Sequence, residues 1–171
     1  DLLEEDASII FIDSQGDFIN HLATKIPTER LVYLNPKTCP PALNLFAEKK
    51  GEDEINKAIE LFEYIFSSLE AEMTPTQSNV YKFVSHLLMI MPKSSIHTML
   101  EVMEPRGCLK YQKYIDTLDN VSQSFFTEFN KASGSYTGTK KQILNRLYMV
   151  LNTKAFRVML GADESKLDIG E

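Results

Sequence analysis

The chain of 171 residues is 43% apolar, enough to bury one core or two small ones, which excludes a disordered segment. Its net charge is −6 with 18 Lys and Arg spread along it, so no clustered cationic surface for nucleic acid is expected from this segment. Two widely separated cysteines, Cys39 and Cys108, exclude a disulfide framework and point to a reducing compartment, and no apolar run approaches the ~18 residues of a membrane span.

Asp1 to Asp6 is an acidic lead-in, read as the end of a helix that starts upstream. Ile9-Ile10-Phe11-Ile12, after Ser8, is a branched and aromatic run without polar alternation. Such a run predicts a strand buried on both faces, as in the centre of a parallel sheet. It ends in the polar turn Asp13-Ser14-Gln15-Gly16-Asp17, at the strand end where α/β folds place ligands. Asp17 to Ile26 carries Phe18, Leu22 and Ile26 at four-residue spacing, which predicts a short helix closed by Pro27. Leu31 to Leu34 reads as a second strand ended by Asn35-Pro36. Residues 8–34 therefore predict one strand-helix-strand unit.

Residues 35–53 hold three of the seven prolines and read as an irregular connection tacked down by Leu43, Leu45 and Phe46. From Glu54, Ile55, Ala58, Ile59, Phe62, Ile65, Phe66 and Leu69 follow helical spacing. Thr74-Pro75-Thr76-Gln77 is a capping box with proline at the first helical position. It opens a helix faced by Val80, Phe83, Val84, Leu87, Leu88 and Met91 and stopped by Pro92. Ser94 or Ser95 caps a helix through Val102, Leu109 to Leu118 suggests another, and Val121, Phe125, Phe126 and Phe129 stripe a further one that breaks at Ser133 to Gly138. Thr139-Lys140-Lys141-Gln142 fits a second capping box, and Asn152 or Thr153 caps a last helix that stops at Gly161. The expected fold is mainly α with a small α/β part: a strand-helix-strand unit followed by a multi-helix bundle.

The Asp13 to Asp17 turn supplies a strand-end carboxylate and helix-start amides, the two signs of charge that Mg²⁺ and phosphate need. Alone, it reads more simply as a turn whose Asp17 balances the helix dipole. Gly134-Ser135-Tyr136-Thr137-Gly138-Thr139-Lys140 is a poor phosphate loop: its glycines are one residue too close, Thr139 separates Gly138 from Lys140, and a helix precedes it. His21, His86 and His97 lack metal-ligand spacing, and His86 falls at the edge of an apolar helix face. No serine lies in a nucleophile elbow. The phenylalanine stripe has helical spacing without interleaved arginine, the pattern of core packing and not of base stacking.

The order of these pieces is more informative than any one of them. Ile9 to Phe18, then Ile26-Pro27-Thr28-Glu29-Arg30, then Leu31 to Pro36, then Leu43-Asn44-Leu45-Phe46 resembles the hallmark run of the conjugative coupling ATPases. These are the TraG and TraD group within the HerA and FtsK-like clan of DNA-pumping P-loop motors. Phe125 to Phe129, Ile143 to Leu147 and Phe156 to Gly161 look like the end of the all-α domain that this family inserts into its motor. Leu167-Asp168-Ile169 resembles the lead-in to the next core strand. Ser14 and Gln15 stand where the family usually has Pro-His, and Leu45 replaces the proline of its Asn-Pro-Leu.

The resemblance implies an internal fragment: 1–50 as part of the nucleotide-binding core, 51–161 as the inserted all-α domain, and 162–171 as the lead back to the core. The start on Asp1 and the end on Asp168 to Glu171 fit that expectation. It implies a hexameric ring that moves DNA or protein-linked DNA in conjugation or type IV secretion. ATP and Mg²⁺ would serve the whole protein, on the cytoplasmic face of the inner membrane where an anchor lies upstream. Asp13, Gly16 and Asp17 would edge the nucleotide pocket. The Walker A loop and Walker B acid are not in this sequence, so the chain alone is expected to be inactive. The alternatives are a stand-alone helical interaction module with an acidic surface, and a small phosphate-binding enzyme using Asp13 and Asp17.

Overall fold

A computed structural model describes residues 9–47, 51–69, 73–131 and 134–166. The acidic lead-in, Ser8, Ser133, Leu167 to Ile169 and the side chains of Phe62, Ile65 and Leu69 lie outside the described residues. The chain divides into two compact units, one up to Asn35 and one from Pro36 onward.

The first unit departs from the expected strand-helix-strand. Ile9 to Ile12 forms no strand, and Ile10 and Ile12 are 77% and 94% exposed. Leu31 to Leu34 is likewise unpaired, with Val32 73% exposed. A strand buried on both faces needs flanking strands and covering helices, and the described residues supply neither. The fold is thus mainly α, with no β-sheet among the described residues. Helix α1 spans Asp17–Ala23 and ends earlier than expected. Pro27 disfavours the α conformation at Ile26, and a short 3-10 turn follows at Thr28–Arg30.

The second unit is a helical bundle built around α3, Pro75–Met89. Val80, Tyr81, Val84, Leu87, Leu88 and Met89 of α3 are fully buried, because α2, α4 and α7 all pack on it. Its start is the expected capping box, in which Thr74 Oγ1 accepts from the Gln77 amide and Gln77 Oε1 accepts from the Thr74 amide. Helix α2 is Glu52–Leu69, with Ile55, Ile59 and Phe66 buried. Helix α4 is Ile96–Met103, capped by Ser95. At its end Gly107 lies so close that a Cβ would stand 1.7 Å from the Glu101 carbonyl oxygen, an approach only glycine permits.

The helix expected over 109–118 resolves into a 3-10 turn at Gly107–Tyr111 and a single turn, α5, at Gln112–Ile115. Helix α6, Asn120–Phe129, is capped by Asp119, whose carboxylate accepts from the Val121 and Ser122 amides. Phe125, Phe126 and Phe129 are buried, and Phe125 stacks on Phe83 with ring centres 4.2 Å apart. The three phenylalanines are core, as their spacing indicates, whereas Val121 at the head of the stripe is 69% exposed, one turn too early to reach the bundle. Helix α7, Thr137–Asn152, starts two residues before the expected Thr139 cap and has no side-chain cap. Helix α8, Lys154–Leu160, ends at Gly161.

The proline-rich stretch is tied into this bundle. Phe46 is buried, and the Leu43 amide donates to the Met159 carbonyl at 2.7 Å. Asn44 Nδ2 donates to the Ser94 and Asp163 carbonyls at 2.7 and 2.8 Å, while its Oδ1 accepts from the Phe46 amide. One buried amide side chain thereby joins the stretch before α2, the α3–α4 turn and the chain after α8.

Candidate functional site

The turn singled out in the sequence folds onto itself. Asp13 Oδ1 accepts from the Gln15 amide at 2.9 Å, and Oδ2 accepts from the Phe18 and Ile19 amides at 3.1 and 3.3 Å. Gly16 adopts φ 87°, the left-handed bend that lets the chain close over the carboxylate. The amides of Gln15 and Gly16, followed by those of Ile19 and Phe18, hold the Asp13 carboxyl below its ordinary value. Asp13, Gly16 and Asp17 are brought into one turn as the sequence indicates. The helix-start amides are taken by Asp13 itself, and the exposed Asp17 lies in the first helical turn.

Lys140, the cation of the weak phosphate-loop pattern, is turned inward. It is 8% exposed and sits 3.8 Å over the Phe129 ring, a cation–π contact. Desolvation lowers its pKa, opposed by the neighbouring Cys108. Burial pushes the Cys108 thiol up to about 12, which makes it unreactive. Cys39 is exposed. Among the described residues no group of three or more His, Cys, Asp or Glu is placed to hold a metal.

A concavity among the described residues lies elsewhere, where α4, the end of α7 and α8 meet. It encloses about 570 Å³ and is open to solvent, with Leu100, Met149 and Leu151 on its apolar wall and His97, Tyr148 and Arg157 supplying polar groups. Arg157 is held in place: Nε donates to the Leu151 carbonyl at 3.0 Å and Nη2 to that of Asn152 at 3.3 Å. It thereby satisfies carbonyls at the negative end of α7. His97 packs against Gly161, where a Cβ would come within 3.0 Å of Nε2. On α4, Glu101 accepts from Lys110 Nζ and the Tyr111 hydroxyl at 3.2 and 2.9 Å.

The cations are unevenly spaced along the sequence. Residues 129–162 contain Lys131, Lys140, Lys141, Arg146, Lys154 and Arg157 and no Asp or Glu. A sliding count of charge sign would have found the stretch.

The chain matches no family model, no curated protein and no solved structure. No helix among the described residues is long and apolar enough to cross a membrane.

Proposed function

We propose that this chain is a segment of a hexameric ATP-driven translocase that moves DNA or protein-linked DNA in conjugation or type IV secretion. Its helical unit recognises cargo or the relaxosome. The observation that carries this reading is the first unit: a strand-like run, Ile9 to Ile12, left exposed next to the self-capped Asp13 turn. An apolar run of this kind gains its stability when a larger sheet covers it, and the order of segments after it resembles the run of the coupling ATPases. In this reading ATP and Mg²⁺ bind the whole protein. Asp13, Gly16 and Asp17 edge the nucleotide pocket of a cytoplasmic protein, held at the cytoplasmic face of the inner membrane where an anchor lies upstream.

A second reading, a helical interaction module without catalytic activity, draws support from the bundle that begins at Pro36 and carries its own core. One determination separates the two: the reading frame on both sides of the 171 residues, followed by ATP turnover of the whole protein. A Gly-x-x-x-x-Gly-Lys-Ser/Thr loop upstream, an apolar strand ending in an acid pair downstream, and turnover reduced by Asp13→Ala support the motor. Absence of both motifs from the complete frame overturns it in favour of the module.

A further inference from the structure

We draw no further inference here: the strongest candidate, the open and mostly apolar groove between α4, α7 and α8, has its Arg157 already bonded to the Leu151 and Asn152 carbonyls, and nothing in the structure shows what covers it.

Discussion

The two units use the same residue types to opposite ends. Before Asn35, Ile10, Ile12, Phe18 and Val32 stand more than half exposed, and the local structure is held by a carboxylate and backbone amides. From Pro36 onward, Ile96, Phe126, Phe129 and Val80 are sealed in a core. Hydrophobicity does not decide the difference; geometry does. Apolar residues at helical spacing find each other within a helical bundle, whereas a period-free run requires partner strands that the described residues do not provide.

The sharpest way to break that contrast is Leu88→Ala in the fully buried α3, expected to cost about 2–5 kcal/mol in a urea melt followed by circular dichroism. Asn44→Ala, which strands the Ser94 and Asp163 carbonyls, is expected to cost about 3 kcal/mol by the same measurement. Thr74→Ala removes one arm of the α3 capping box and is expected to cost about 1 kcal/mol. Ile12→Ser in the first unit should change bundle stability by less than about 0.5 kcal/mol in the same urea melt.

A pH titration sharpens the same contrast. Amides and a hydroxyl hold the Asp13 and Asp119 carboxyls below the ordinary 3.8. Their capping is therefore complete above that value and is lost as pH falls through the lowered folded value. Far-ultraviolet ellipticity should show fraying of the α1 and α6 starts only at the acid end, and Asp119→Asn should remove the dependence at α6. Thiol labelling gives the smallest signal: iodoacetamide should add once to the native chain, at exposed Cys39, and twice after unfolding, when Cys108 is freed.

Most of the bundle was legible in the sequence because its signals are local. Thr74-Pro75-Thr76-Gln77 and Ser95 fix helix starts through bonds to amides two or three residues away. The phenylalanine stripe shows its burial in its spacing. What escaped depends on distant partners. Nothing near Asn44 announces that its amide will meet Ser94 and Asp163. Ile9 to Ile12 has the composition of a buried strand, but composition does not say whether the neighbouring strands exist. Thr139 matches a cap pattern, yet the chain turns helical at Thr137 first, with the Thr137 hydroxyl bonded to the Gly134 carbonyl. The groove escaped because its wall is assembled from α4, α7 and α8.

The strap around Asn44 also sets an order of assembly. Its bonds to Asp163 and Ser165 span 119 and 121 residues, so they close long loops and form after the helices they join. The reverse holds on opening. The amides of Leu43 and Asn44 are expected to exchange with deuterium through a local release of the strap, ahead of the α3 amides, which wait for global unfolding.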